Sequence, residues 1–157
     1  MYLIDTNALI DLFDRFYCAD VFPTLAADIA AVAAQQKLFV ITEVDEELQT
    51  NLSESGYAEF ETLNISCLNG NQAVQQKHGE IMAHLSANHR EKLVRNFSAG
   101  ADTALVAHAA VHQKILITDE RGQIHTNTKL FIPPLARRFG VVSIDIVEFF
   151  RREGLRY

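Results

Sequence analysis

The first twelve residues, Met1-Tyr2-Leu3-Ile4-Asp5-Thr6-Asn7-Ala8-Leu9-Ile10-Asp11-Leu12, decide the fold class of the chain. The apolar run Tyr2–Ile4 indicates a buried strand, and it stops at the polar residues 5–7. Apolar side chains then return at helical spacing, which predicts a helix directly after the strand. Ligands of open α/β sheets bind just outside the carboxyl ends of the strands, and Asp5 would lie there.

Asp5 has two interpretations. A carboxylate at the end of a buried strand is costly unless something pairs with it, and no Lys or Arg precedes Arg15. In the structural interpretation, Thr6 or Asn7 caps the helix and Asp5 complements the helix dipole. In the functional interpretation, further carboxylates converge on the same edge of the sheet.

Composition indicates one ordinary globular domain. The chain has 157 residues, of which 48% are hydrophobic and 22% charged, so we expect a single domain over residues 1–157 with a sizeable core. No apolar run is long enough to span a membrane, and Asp5 interrupts the apolar start, so we expect no signal peptide. We therefore expect a cytoplasmic protein that does not contact a membrane. Cys18 and Cys67 are too few for a disulfide framework and are expected to be free thiols, buried or partly buried.

Net charge limits the choice of partners. The formal net charge is −6, whereas a nucleic-acid binder usually shows a basic footprint. The charge balance therefore argues against nucleic acid, unless the acidic excess is concentrated in a metal site. The densest basic group is formed by Arg90, Lys92 and Arg95 on a predicted helix, and a solvated helix face explains it equally well.

Strands and helices alternate along the whole chain. Apolar runs at 2–4, 38–41, 64–68, 114–117 and 141–143 predict five strands, with helical patterns between them. This alternation predicts an α/β fold with a mainly parallel central sheet and helices on both faces.

Acidic residues follow several of these strands or begin the helix beside one. They are Asp5, the pair Glu43 and Glu47, Asp102, and the pair Asp119 and Glu120. Because parallel strands end at one edge of the sheet, these carboxylates can meet, and they would raise one another's pKa unless a cation neutralised them. Oxygen ligands of this kind suit Mg²⁺ or Mn²⁺, which would activate water and polarise a phosphate. The pattern therefore predicts a metal-dependent phosphodiesterase.

The same segments resemble the motifs of PIN-domain nucleases. The resemblance rests on four segments: Tyr2–Asn7, Glu43–Leu48, Gly100–Ala109 and Ile117–Glu120. Segments 15–17, 20–23 and 132–141 are similar to a bacterial PIN-like subgroup of unassigned function, related to VapC-type toxins. Nearly the whole chain is covered, and residues 53–97 match least specifically.

The resemblance implies a three-layer α/β/α PIN-like fold and one or two Mg²⁺ or Mn²⁺ ions. It also implies a hydrolase that cleaves single-stranded RNA, often the toxin of a type II toxin–antitoxin pair, with an antitoxin protein as partner. A homodimer is expected, mostly from the resemblance. The catalytic acids carried over are Asp5, Glu47, Asp102 and Glu120.

The remaining site expectations are less direct. Glu43 and Asp119 join the four acids as candidate metal ligands, and the second acid is open between Glu43 and Glu47. Most PIN proteins have Asp where this chain has Glu120. Substrate-positioning residues are expected at Asn7, Thr118, Arg90, Lys92, Arg95 and Arg121.

Other functions were considered. His108 and His112 have the helical spacing of a zinc pair, but no suitably placed Glu or third ligand accompanies them. Phosphoaspartate hydrolases need a second Asp where this chain has Asn7. A PIN-like binding protein that has lost catalysis, or a DNA-directed nuclease of the same fold, remains an alternative to the ribonuclease.

Overall fold

The computed structural model describes residues 1–17 and 21–157. Within these residues the chain forms five strands and nine helices. The strands are β1 (Tyr2–Ile4), β2 (Leu38–Ile41), β3 (Ser66–Leu68), β4 (Ile115–Ile117) and β5 (Ser143–Ile144). The helices are α1 (Thr6–Ile10), α2 (Leu25–Ala34), α3 (Thr42–Asn51), α4 (Glu54–Thr62), α5 (Gln72–Asn88), α6 (Glu91–Phe97), α7 (Asp102–Val111), α8 (Ile132–Arg138) and α9 (Ile146–Glu153).

The five strands form one parallel sheet in the order β3-β2-β1-β4-β5. Strand β1 lies in the centre, with Leu3 opposite Phe39 on one side and Leu116 on the other. The three-layer α/β/α fold expected from the sequence is thereby confirmed. Because every strand is parallel, all five carboxyl ends lie at the same edge of the sheet.

The core is built on both faces of the central strands. All residues of β1 and β2 are buried, although neighbours along a strand point to opposite faces. Leu3 and Ile4 are fully buried, and each such side chain contributes roughly 1.5–3 kcal/mol of burial free energy. Helices therefore cover the sheet on both sides, and the polar residues that follow β1 are fixed by a rigid strand.

The first helical segment differs from the expected single helix. The α-helix ends at Ile10, and residues Asp11–Arg15 form a wider π-helical turn in which the Phe16 N–H donates to Asp11 O. The prediction that Thr6 or Asn7 caps the helix was wrong, because Asp5 occupies the N-cap position and makes no side-chain capping bond. The structural interpretation of Asp5 as a simple helix partner loses its main support.

Several smaller expectations were also inexact. The last strand is Ser143–Ile144 rather than 141–143, and Gly140 follows α8 with a φ of +74°, which glycine adopts without strain. Cys67 is exposed, so the expectation that this thiol is buried or partly buried was wrong. Cys18, and Asp20 of the 20–23 segment, lie outside the described residues.

None of the described helices is a candidate for a membrane-spanning helix. Over residues 1–17 and 21–157, none combines the length and apolarity that a bilayer-spanning helix requires.

Candidate carboxylate site

Asp5 is a buried carboxyl group at the end of the central strand. Its side chain is 1% exposed, and its Oδ2 accepts a hydrogen bond from Thr118 Oγ1 at 2.9 Å. Burial, followed by the charges of Glu120 and Glu47, raises the pKa of Asp5 to about 7, against the lowering effect of Thr118. Asp5 thus lacks a basic partner among the described residues. Its ionised form therefore costs free energy, because a buried charge has lost its hydration.

Asp102 lies at the N-terminus of α7 and faces the same acids. Burial and the charges of Asp5, Glu120 and Glu47 raise the pKa of Asp102 to about 8, while Lys129 lowers it. Among the described residues no side chain or backbone group forms a hydrogen bond or ion pair with this carboxyl group. Its position at the N-terminus of a helix does not offset the burial and the like charges.

Glu47 joins α3 to the elements that carry the two aspartates. Its Oε1 accepts the Ala101 N–H at 2.9 Å, and its Oε2 accepts a hydrogen bond from Thr6. The first bond satisfies a backbone donor just before α7, and the second holds the residue that follows Asp5. Glu47 therefore fixes the start of α7 against the start of α1.

A glycine permits this contact. A Cβ atom at Gly100 would lie 2.5 Å from Glu47 Oε1, closer than real Cβ atoms approach an oxygen. The glycine of the third motif thus has a physical role, because a side chain at residue 100 would displace the carboxylate from Ala101. Of the two candidates for the second acid, Glu47 is the one whose charge acts on Asp5 and Asp102.

Glu120 is held by the loop that leads to α8. Its Oε2 accepts the Ile132 N–H at 2.7 Å, and its Oε1 lies 3.3 Å from Lys129 Nζ. The carboxylate therefore satisfies the first turn of α8, and its charge still reaches Asp5 and Asp102.

Asp119 and Glu43 take other positions. Asp119 Oδ1 accepts the Ile146 N–H at 3.1 Å and so satisfies a backbone donor at the start of α9. Burial raises the pKa of Asp119. Glu43 is exposed, and its charge acts on His108 rather than on the aspartates. Neither residue is among the acids that shift the pKa of Asp5 or Asp102, so the structure does not bring these two candidates into the group.

The expected substrate-positioning residues are dispersed. Thr118 is buried and bound to Asp5, whereas Asn7 is exposed beside it. The exposed cations of the predicted basic group, Arg90, Lys92 and Arg95, belong to α6 and the residue before it. Arg121 is exposed at the rim of a cleft that borders the carboxylates.

That cleft has a volume of about 1020 Å³ and runs beside the ends of β4 and β5. Thr118 and Glu120 form its boundary with the carboxylate group, and Phe16, Arg121 and Arg137 lie along it. The Phe16 ring is 66% exposed. The lining also holds five acids, Asp11, Asp119, Glu120, Asp145 and Glu148, so the exposed aromatic residue is the feature of this groove that suits an extended ligand with planar parts.

The donor set fits a hard divalent cation in part. Magnesium in proteins is commonly held by one or two carboxylates together with water and substrate phosphate, and Asp5 and Asp102 supply two such carboxylates. Glu47 and Glu120 have both oxygens occupied by protein donors or by Lys129. Across residues 1–17 and 21–157, no group of three or more His, Cys, Asp and Glu side chains is arranged to hold a metal. The fit is therefore to two aspartate ligands, with the glutamates contributing charge.

The histidine pair remains separate from this site. His108 and His112 have ring centroids 5.7 Å apart, and His108 Nδ1 and His112 Nε2 are buried without a partner in the described part of the chain. Burial lowers the pKa of His108, which favours neutral imidazole. The described residues supply no third metal ligand there, so the zinc interpretation gains no support.

Three features of the site were not evident from the sequence. Lys129 belongs to a polar loop without a periodic pattern, and only its contact with Glu120 reveals it. Thr6 and Ala101 became visible as partners of Glu47 only through the fold. The spacing of Gly100 and Asp102 was the one signal in the sequence for these contacts. A glycine shortly before an acid at a helix start indicates that another group approaches the backbone closely.

Comparison with known families assigns the chain to a family without assigning a function. No curated protein of similar sequence was found. The family described as "Domain of unknown function (DUF4411)" matches residues 2–157, which is almost the full length. The chain therefore belongs to the DUF4411 family.

Proposed function

We propose that the chain is a metal-dependent endoribonuclease of PIN type that cleaves single-stranded RNA. The observation that carries the proposal is the Asp5–Asp102 pair, whose pKa values are raised to about 7 and 8 by burial and by like charges. Two carboxyl groups held in this way cost free energy in the absence of a cation. Such an arrangement is typical of functional sites rather than of structural ion pairs.

Asp5 and Asp102 would hold a Mg²⁺ or Mn²⁺ ion, which would lower the pKa of a water molecule and stabilise negative charge on the scissile phosphate. Thr118 orients the Asp5 carboxylate through its hydroxyl group. Glu47 keeps α7 and therefore Asp102 in position, since it holds the Ala101 N–H. Glu120 adds negative charge and fixes the loop 121–131 to the start of α8.

The substrate would lie in the cleft beside β4 and β5. Of the five acids that line this cleft, Asp11, Glu120 and Glu148 pair with Arg15, Lys129 and Arg152, while Asp119 and Asp145 accept backbone N–H groups. The ion pairs therefore reduce the repulsion that the chain's net charge of −6 exerts on a nucleic-acid strand in the cleft. The exposed Phe16 ring offers a surface for a base, and base stacking contributes about 1–3 kcal/mol per base.

An inactive PIN-like binding protein is the second candidate. It is favoured by one observation, that both oxygens of Glu47 and of Glu120 are already engaged within the protein. A DNA-directed nuclease of the same fold would use the same carboxylates, and only the substrate separates it from the ribonuclease. The roles of toxin and homodimer, an antitoxin partner and a cytoplasmic location stay predictions.

Cleavage assays distinguish these functions. Labelled single-stranded RNA and DNA of the same sequence are incubated with the protein in Mn²⁺, Mg²⁺ or EDTA. We expect RNA cleavage with either metal, none in EDTA, and a loss of at least 100-fold in Asp102→Asn. Asp28→Asn, which changes an acid that contacts Tyr157 elsewhere in the fold, is the matched control and should cleave normally. Metal-dependent cleavage of DNA alone would support the alternative nuclease, and a lack of any cleavage would support the binding protein.

A further inference from the structure

Among the described residues, Lys129 is the cation that forms an ion pair with one of the four acids of the site. Its Nζ lies 3.3 Å from Glu120 Oε1 and 4.8 Å from the centroid of the Phe131 ring. Its positive charge lowers the pKa of Asp102, against the burial and the like charges that raise it. Arg121 acts instead on Asp119, which belongs to the start of α9.

The backbone of Lys129 is fixed, whereas its side chain is not. Lys129 N–H donates to Thr126 Oγ1 at 2.9 Å, and Thr126 N–H donates to Lys129 O at 2.9 Å. The next residue, Leu130, is 2% exposed and anchors the turn in the core. The lysine side chain, in contrast, is 60% exposed. The ammonium group can therefore change its partner without any movement of the turn that carries it.

The ion pair between Lys129 and Glu120 is weak. The Lys129 side chain is 60% exposed although the Glu120 side chain is only 12% exposed, so water screens the lysine end of the pair and the pair adds little to stability. Glu120 also keeps its bond from the Ile132 N–H when the lysine leaves. Exchange of Glu120 for another anion therefore costs little free energy.

A nucleic-acid strand would present such an anion. Four carboxyl groups surround the site, so one divalent ion leaves an excess of negative charge that repels a phosphodiester. A lysine ammonium is a compact point charge that commonly binds phosphate. We propose that Lys129 exchanges Glu120 for a phosphodiester oxygen of the bound strand and so brings the strand to the carboxylates. This proposal rests on the proposed nuclease function.

The chain offers a matched control for a test of Lys129. Lys77 on α5 also pairs with a glutamate, Glu80, and also lies over an aromatic ring, that of Phe139 at 6.0 Å. Lys77→Met therefore removes a comparable pair on α5, a helix that carries none of the four acids. Lys129→Met removes the charge at the site, and Lys129→Arg retains it.

The experiment measures Mn²⁺ binding by calorimetry and RNA binding by fluorescence anisotropy with Ca²⁺ in place of Mn²⁺, over a range of salt concentrations. We expect Lys129→Met to weaken RNA binding about 5- to 10-fold and to make its salt dependence shallower by about 0.7 in log–log slope, as the loss of one phosphate contact on a single strand requires. Mn²⁺ binding should become severalfold tighter, because a competing positive charge is gone. Lys129→Arg and Lys77→Met should bind RNA as the wild type does.

Three results would overturn the proposal in different ways. If the wild type binds Mn²⁺ and cleaves RNA while Lys129→Met keeps the same RNA affinity and salt slope, the lysine does not contact the strand, and the nuclease function stands. Weaker Mn²⁺ binding in Lys129→Met would also overturn it, because the lysine would then merely support Glu120. If the wild type neither binds Mn²⁺ nor cleaves RNA, the nuclease function fails, and the role of Lys129 fails with it.

Discussion

Thr118 Oγ1 donates a 2.9 Å hydrogen bond to Asp5 Oδ2, which joins the ends of two neighbouring strands across 113 residues of sequence. The bond favours the ionised carboxyl group, and it opposes the burial and the like charges that raise the pKa of Asp5. Thr118 also accepts the Glu120 N–H at 3.3 Å. A single buried hydroxyl group thus connects the first and the fourth acidic segments.

Replacement of Thr118 by Val should raise the pKa of Asp5 above its wild-type value of about 7, because the donor that favours the charged form is lost. The free energy of unfolding should fall by about 1–3 kcal/mol, and more at pH 8 than at pH 5, since the unpaired oxygen is charged at the higher pH. Carboxyl-carbon NMR titration and chemical denaturation measure the two effects. Thr118→Ser keeps the donor and is the control. An unchanged Asp5 pKa in the valine variant would show that the bond does not influence ionisation.

The stability of the metal-free protein should decrease with rising pH. The folded protein retains protons on Asp5 and Asp102 up to about pH 7 and 8, whereas the unfolded chain releases them near pH 4. The folded state binds more protons between these limits, so the free energy of unfolding falls as pH rises, by at most about 1.4 kcal/mol per pH unit for each carboxyl group.

Chemical denaturation in EDTA at pH 5, 6, 7 and 8 measures this slope. Asp102→Asn should reduce it, because asparagine does not titrate. A stability that rises steadily across the same range would mean that both carboxyl groups are favourably paired in the folded protein, contrary to our description of the site.

Glu47 and Glu43 should behave differently although they lie one helical turn apart. Glu47→Gln removes a charge that acts on both aspartates, so we expect Mn²⁺ affinity to drop about tenfold. Glu43→Gln should change it less than twofold, and so should Glu46→Gln, the same substitution at an exposed neighbour. Calorimetric titration with Mn²⁺ compares the three variants. Equal losses in Glu43→Gln and Glu47→Gln would restore Glu43 as a ligand.

Gly100→Ala tests the contact that places Glu47. The added Cβ would lie 2.5 Å from Glu47 Oε1 and should displace it from the Ala101 N–H. We expect RNA cleavage to fall at least tenfold, with little loss of stability, because residue 100 is exposed and the glutamate side chain can move. Gly79→Ala on α5, where the Cβ meets nothing within 4 Å, is the control. Normal cleavage in Gly100→Ala would mean that the contact is dispensable.

The sheet was predictable because its signals are local. Three-residue apolar runs such as Tyr2–Ile4 ended at the predicted positions, since burial on both faces leaves only apolar side chains on a central strand. The meeting of Asp5 and Asp102 was expected because the carboxyl ends of parallel strands lie at one edge of the sheet. The partners of Glu120 could not be predicted from the sequence, because its bond to Ile132 depends on the path of the loop between them. The ambiguity between Glu43 and Glu47 likewise required the position of α7.

The basic group on α6 gives a prediction that the structure leaves open. Arg90, Lys92 and Arg95 are exposed and lie outside the lining of the large cleft. If a long RNA strand extends that far, charge reversal of all three should weaken its binding at low salt and make the salt dependence shallower. Anisotropy with RNAs of different length measures the effect. Unchanged binding at every length would assign the group to a solvated helix face.

Thermal unfolding of the wild type and of Asp5→Asn, each in EDTA and in excess Mn²⁺, tests the central claim most directly. Asn keeps the size of Asp but removes a charge, so in EDTA the variant should be at least as stable as the wild type, since repulsion within the carboxylate group is relieved. The wild type should gain stability from Mn²⁺, and the variant should gain little, because a charged ligand is missing. A variant much less stable in EDTA, together with a wild type indifferent to Mn²⁺, would make Asp5 a structural residue and contradict the proposed metal site.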